Sequence, residues 1–131
     1  MKLWSTTHQW TELGYTCGGM ESYDHNTGHT TCIALNPMYK SHWPMVLAHE
    51  VGHSKTNTAL DRRMRHIPYY EWLCEVKAWL WALKHLPPNE IDCAYLESCL
   101  KSYVSDRDRQ QQTRDLANLL CIAKARKEGR L

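Results

Sequence analysis

Residues 43–55 read Trp43-Pro44-Met45-Val46-Leu47-Ala48-His49-Glu50-Val51-Gly52-His53-Ser54-Lys55, and within them His49 to His53 spell H-E-x-x-H. The stretch predicts a helix from Trp43 to Lys55. Ser41 supplies a candidate N-cap, and Pro44 falls in the first turn, where its missing N–H removes no intrahelical bond. On such a helix two histidines four residues apart share one face, about 40° apart in rotation and about one turn along the axis. Two imidazoles so placed can bind one Zn²⁺ together. Glu50 points off the edge of that face, toward a water on the metal, where its carboxylate can act as general base. Met45, Leu47, Ala48, Val51 and Gly52 leave the rest of the surface apolar, as a helix packed under a sheet requires. Glycine in a helix interior costs about 1 kcal/mol against alanine, so Gly52 predicts a close backbone or helix neighbour.

Working outward, the residues before this helix carry β signals from Gly14 to Leu35. Met20 to Tyr23 can form a strand, Asp24-His25-Asn26-Thr27-Gly28 is turn chemistry, and His29 to Leu35 is rich in β-formers. Together they predict a hairpin ending just before the helix. After it, Ser54 to Pro68 is polar, with Arg62, Arg63 and Arg65. Tyr69 to Leu86 is apolar nearly all round and stops at Pro87-Pro88, which predicts a centrally buried helix. Asn89 is expected to cap a third helix reaching about Tyr103. Ser105 with Asp108 predicts a capping box for a fourth, carrying Leu116, Leu119, Leu120 and Ala123 at helical spacing. The expected fold class is α+β, a small β-hairpin or sheet on a mainly helical domain. No repeat or linker divides residues 1–131, so one domain is expected, with residues 1–14 an N-terminal arm and 89–131 the C-terminal helices.

Composition narrows the class. With 131 residues, 43% hydrophobic and 23% charged, the chain is an ordinary globular one, able to bury about two-thirds of its unfolded surface. A net charge of +2 falls short of the basic imbalance that would by itself suggest a nucleic-acid partner. The first residues contain no apolar leader, and no run of 18 apolar residues exists. The expectation is a cytoplasmic protein without a membrane partner. Its six cysteines, Cys17, Cys32, Cys74, Cys93, Cys99 and Cys121, are then expected as free thiols. The absence of any C-x-x-C argues against a zinc ribbon or a thioredoxin-type site.

A catalytic zinc takes three protein ligands and keeps one position open for water. The buried helix offers Glu71 and Glu75, four apart on one face. Charged groups there are expensive unless paired or metal-bound. The plain alternative is a salt bridge to Arg62, Arg63 or Arg65.

The order of hairpin, Leu47-Ala48-His49-Glu50-Val51-Gly52-His53 and a downstream helix carrying Glu-x-x-Ala resembles the zincin metallopeptidases. It is similar to their small gluzincin-like type from bacteria, phages and mobile elements, such as the ImmA/IrrE-like and SprT-like peptidases. The resemblance spans roughly residues 15–86, and its specific part is H-E-x-x-H. It implies that the third ligand is the Glu of Glu75-Val76-Lys77-Ala78. It departs from the family pattern at Trp79, where an acid or Asn often stands. Taking Glu71 as the ligand instead would make Glu75 an acceptor for a zinc histidine; Glu75 is the preferred assignment. The resemblance also implies that the strand at about His29 to Leu35 borders the cleft and pairs with an extended peptide.

Among other residues, His25, His29, His42, His66, Tyr69 and Tyr70 are candidates for oxyanion donation or substrate steering. Trp72, Trp79 and Trp81 are expected in the core. The basic residues Arg107, Arg109, Arg114, Lys124, Arg126, Lys127 and Arg130 are interleaved with acids and read as a solvated face, with contact to DNA or an acidic partner the sharper alternative. The reading as a whole is a zinc metallopeptidase acting on a protein or peptide, with His49, His53 and Glu75 holding zinc and Glu50 as base. The alternative is a zincin scaffold that binds a protein partner, as a phage or mobile-element regulator, without proteolysis.

Overall fold

A computed structural model describes residues 18–131 and the backbone of a short strand at Lys2–Trp4. The fold class is α+β, as expected, with a small sheet on a mainly helical body. Strands β1 (Lys2–Trp4), β2 (Gly19–Asp24) and β3 (His29–Leu35) form one sheet in the order β1-β3-β2. The helices are α1 (Trp43–Thr56), α2 (Ala59–Arg63), α3 (Pro68–His85), α4 (Cys93–Lys101) and α5 (Arg109–Lys127).

The hairpin of β2 and β3 follows from its turn. The Asn26 N–H donates to Asp24 Oδ1 at 2.8 Å, and Gly28 takes φ +74°, a backbone that glycine adopts without steric cost. The strands then pair antiparallel from Gly19 opposite Leu35 to Asp24 opposite His29, with an irregularity at Ser22/Tyr23. Strand β1 adds in parallel, Leu3 opposite Ile33. The expected N-terminal arm contributes strand β1 at residues 2–4, and its remainder lies outside the described residues. Parallel pairing with a strand thirty residues away is a long-range event that local patterning does not announce.

Asn36 fixes the passage from sheet to helix. It is buried, its N–H donates to Gly18 O at 2.8 Å, and its carbonyl accepts from Trp43 Nε1 at 2.9 Å. A 3-10 turn over Pro37–His42 follows, and it contains Ser41. Ser41 is therefore not the N-cap of α1. His42 occupies that place without a side-chain cap bond, while Pro44 does sit in the first turn.

The polar stretch after α1 holds an unanticipated short helix. Thr58 and Asp61 form a reciprocal capping box at the start of α2. Further on, Asn89 lies in a 3-10 turn over Pro88–Glu90, and Asp92 is the actual cap of α4, accepting the Tyr95 N–H at 3.0 Å. The expected Ser105–Asp108 box does not form: Asp108 makes no side-chain cap bond to α5, and the Ser105 N–H donates to buried Gln112 Oε1 at 2.8 Å. Of the three expected caps, only that of α4 is replaced by a neighbouring side chain, Asp92; the N-cap residues of α1 and α5 make no side-chain cap bond.

Helix α3 is central, as its all-round apolar sequence predicts. It packs on α1, α2 and α5, burying Trp72, Trp79, Ala82 and Leu83 in one core with Met45, Leu96, Leu100 and Leu119. Trp81 is the exception among the expected core tryptophans. It is half-buried and stacks on His85, ring centroids 4.0 Å apart. The carboxyl end of α3 is closed from a distance by Arg126, which donates to Leu83 O at 2.9 Å and Leu86 O at 2.6 Å. The described residues include no helix long and apolar enough to cross a membrane, and Cys32, Cys74, Cys93, Cys99 and Cys121 are free thiols. Cys17 lies outside the described residues.

Gly52 meets its expected neighbour. A Cβ there would stand 2.3 Å from the Ala78 carbonyl oxygen, an unallowable approach. Gly52→Ala should therefore lower thermal stability by several degrees, even though alanine favours a free helix by about 1 kcal/mol. Ala78 is contacted through its backbone, so no side-chain trimming at that position should rescue the variant in thermal denaturation.

Candidate metal centre

The face of α1 that carries His49 and His53 is turned toward α3 at the level of Glu75. His49 Nε2 lies 2.7 Å from Glu75 Oε2, and His53 Nε2 lies 3.3 Å from Glu75 Oε1. Glu75 is 1% exposed and His53 2%. Ligand atoms of His49, Glu50 and His53 also fall within 4.8 Å of one another, so they form a potential metal-holding group. Glu71, one helical turn earlier, is half-buried, and the carboxylate that meets both imidazoles is that of Glu75. Of the two carboxylates open in the sequence, the geometry brings Glu75 to the histidines.

The donor set suits a zinc-type ion. Two imidazole nitrogens and a carboxylate are ordinary zinc ligands at about 2.0–2.2 Å, which puts ligand atoms about 3.3 Å apart on a tetrahedron. The His53–Glu75 separation of 3.3 Å has that value, while the His49–Glu75 contact at 2.7 Å is a hydrogen bond that would open slightly. His53 Nδ1 is 2.6 Å from Asn57 Oδ1, so Asn57 orients the ring and leaves Nε2 for a metal. Asn57 Nδ2 donates onward to Thr56 Oγ1 at 3.2 Å. Sequence reasoning missed Asn57. Its position four residues after His53, at the helix end, was the available signal.

His49 is held differently. Its ring stacks on Trp79, centroids 4.2 Å apart and planes within 10°, and its Nδ1 is 3.5 Å from Glu50 Oε1. Trp79, where the resembled family often has an acid or Asn, thus fixes an imidazole plane by packing. Its indole N–H is buried without a partner among the described residues, a cost that its stacking and burial must offset.

Charge is concentrated here. Burial alone would lower the His49 pKa, but the Glu75 carboxylate, with help from Glu50, raises it to about 10. Burial would raise that of Glu75, yet the two histidines hold it well below the usual carboxylate range. In the metal-free pair the proton therefore sits on His49 and Glu75 is a carboxylate, and His49 must lose that proton to become a ligand. Arg65 also donates to Glu75 Oε1 at 3.1 Å, so part of the salt-bridge alternative is realised too. A carboxylate has about four lone-pair directions, enough for Arg65 and a metal together.

Arg62 makes a separate link. It pairs with Glu21 on β2 at 2.5 and 2.9 Å, donates to His53 O at 2.9 Å and lies 3.8 Å over the Tyr23 ring. The sheet is thereby tied to the residue that carries one of the imidazoles.

The site opens into a cavity of about 300 Å³ lined by His49, Glu50, Val46, Trp79, Gly18, Gly19, Tyr39 and residues of α4. The side chains expected to donate to an oxyanion do not line it. His25, His29, His66 and Tyr69 are exposed, and His42 bonds Asp92 at 3.1 Å and stacks on Tyr95. Tyr39, Tyr95 and Tyr103 line it instead. Sequence could not select them, because their approach depends on how α4 docks. The cleft strand also needs correction. Over Cys32–Ala34, β3 is paired on both edges and cannot accept a peptide strand there; β2, through Gly18-Gly19, reaches the cavity. Of the C-terminal basic residues, Arg126 closes α3 and Arg109 and Arg130 pair with Asp106 and Glu128.

Compared with protein-family models, curated proteins and solved structures, the chain matches none.

If His49, His53 and Glu75 are the ligands, purified protein should hold about one zinc per chain, read by elemental analysis. His49→Ala and His53→Ala should abolish it. Glu75→Ala should weaken it far more than Glu71→Ala; the reverse order would move the ligand to Glu71. Asn57→Leu should weaken zinc by roughly ten- to a hundredfold while leaving the ligands in place.

Proposed function

We propose that this chain is a zinc-dependent metallopeptidase of the small zincin type, acting on a protein or peptide. The observation that carries the reading is the convergence of His49, His53 and Glu75 from two helices, with Glu50 beside them at the wall of a cavity. His49, His53 and Glu75 are the residues that would hold the ion. When bound, zinc supplies a Lewis acid that acidifies water and polarises a carbonyl.

Glu50 is the remaining carboxylate at the cavity wall and is 6% exposed. In this reading it takes a proton from a water entering the cavity and returns it to the leaving amine, the general-base and general-acid halves of peptide hydrolysis. Gly19 leaves it room, since a Cβ there would lie 3.2 Å from Glu50 Cγ, and His49 Nδ1 lies 3.5 Å from its Oε1. Asn57, Trp79 and Arg65 keep the surrounding groups oriented. Walling off the cavity with aromatic rings limits bulk water around the base, which strengthens its electrostatic interactions.

The decisive variant is Glu50→Gln, which keeps shape and removes the base. It should retain zinc and the wild-type melting profile while losing about two to four orders of magnitude in cleavage of an unstructured protein substrate, followed by mass spectrometry. Unchanged cleavage would remove Glu50 as base. A zinc-loaded wild type that binds a partner protein but cuts nothing would establish the non-proteolytic scaffold instead.

A further inference from the structure

The cavity has a composition that selects what enters it. At about 300 Å³ it is at the lower end of small-molecule sites, room for one large side chain rather than a folded segment. Val46 and Trp79 form one wall and Tyr95, Cys99 and Tyr103 of α4 and its C-terminal end form the opposite one, with His49 and Glu50 between them. Tyr39 and the backbone of Gly18 and Gly19 complete the lining. A Cβ on Gly18 would stand 2.7 Å from the Tyr95 hydroxyl, and one on Gly19 2.7 Å from Val46 Cγ1, so the glycines let this backbone sit flush against Tyr95 and Val46.

Among the described lining residues, charge is confined to His49 and Glu50. Burial raises the pKa of Tyr95 and Tyr103, and pushes the Cys99 thiol up to about 11, so these walls stay neutral at physiological pH. An acidic side chain inserted here would be desolvated against Glu50. A cationic one would pair with Glu50 and neutralise the base that hydrolysis needs. A bulky apolar side chain gains its full burial energy.

We infer that this cavity is the specificity pocket for a bulky uncharged side chain, aromatic or large aliphatic, flanking the scissile bond. The inference rests on the metallopeptidase reading and adds the substrate class to it.

The test reads binding rather than turnover. Two series of short hydroxamates carry glycine, leucine, phenylalanine, lysine or aspartate side chains, on one side or the other of the zinc-chelating group. They are titrated calorimetrically into the zinc-loaded full chain, freed of unbound metal. In one series leucine and phenylalanine should bind roughly ten- to a hundredfold tighter than glycine, with lysine and aspartate gaining nothing. Ser98 and Ser102 are exposed residues on the cavity rim, so Ser98→Trp and Ser102→Trp should fill it from solvent without touching the core. Either folded variant should erase the phenylalanine preference and leave glycine binding within about twofold.

If glycine binds but both series are flat, or a charged side chain is preferred, the pocket assignment is wrong and the metal reading survives. Retention of the phenylalanine preference in both filled variants would likewise place its origin elsewhere. If the protein takes up no zinc and binds no hydroxamate, both readings fall together.

Discussion

Helices α1 and α3 touch backbone to backbone at Gly52 and Ala78, where a single added methyl carbon would come within 2.3 Å of a carbonyl oxygen. Helices normally cross at 8–10 Å, the distance set by the side chains between them. Removing the side chain at the crossing lets the helices close further, and everything at the site depends on that closure. His49 and His53 flank Gly52 on one helix; Glu75 precedes Ala78 by one turn on the other. An acidic side chain is short, and a wider crossing would leave Glu75 unable to reach both imidazoles.

The closure also creates an electrostatic problem that the surrounding residues resolve. A carboxylate 1% exposed is strongly unfavourable unless its charge is met. Here it is met three times, by His49, His53 and Arg65. Burying an ion pair contributes little net stability, since desolvation consumes most of the Coulombic gain. Net stability alone therefore does not account for the arrangement. Its supports differ for the two histidines: the hydrogen bond that His53 Nδ1–H donates to Asn57 Oδ1 fixes His53, while a flat aromatic face, Trp79, fixes His49. Both leave the Nε2 atoms directed at Glu75.

The C-terminal half is more than ballast for the core. Helix α4 supplies the aromatic wall of the cavity, and its position is secured through Leu96 and Leu100 in the core and through His42 bonded to Asp92. Helix α5 holds α3 at two points, Asp115 accepting from Trp72 Nε1 at 2.8 Å and Arg126 closing the carboxyl end. The helix that presents Glu75 is thus clamped along its length. Arg62, joining Glu21 to the His53 carbonyl, does the same for α1 from the sheet side.

Much of this was legible in the sequence. The H-E-x-x-H face of α1, the Asp24–Gly28 turn, the central burial of α3 and its stop at Pro87 all follow from dihedral preferences and periodicity within a few residues, and so did the need for a close neighbour at Gly52. What required the tertiary structure shares one feature, dependence on a distant partner. The parallel addition of Lys2–Trp4, the caps that shifted to His42 and Asp92, and the tyrosines of the cavity could not be placed locally. The choice between Glu71 and Glu75 was of the same kind. Both lie on one face of α3, and only the rotation and depth at which α3 docks against α1 decide which carboxylate meets the imidazoles.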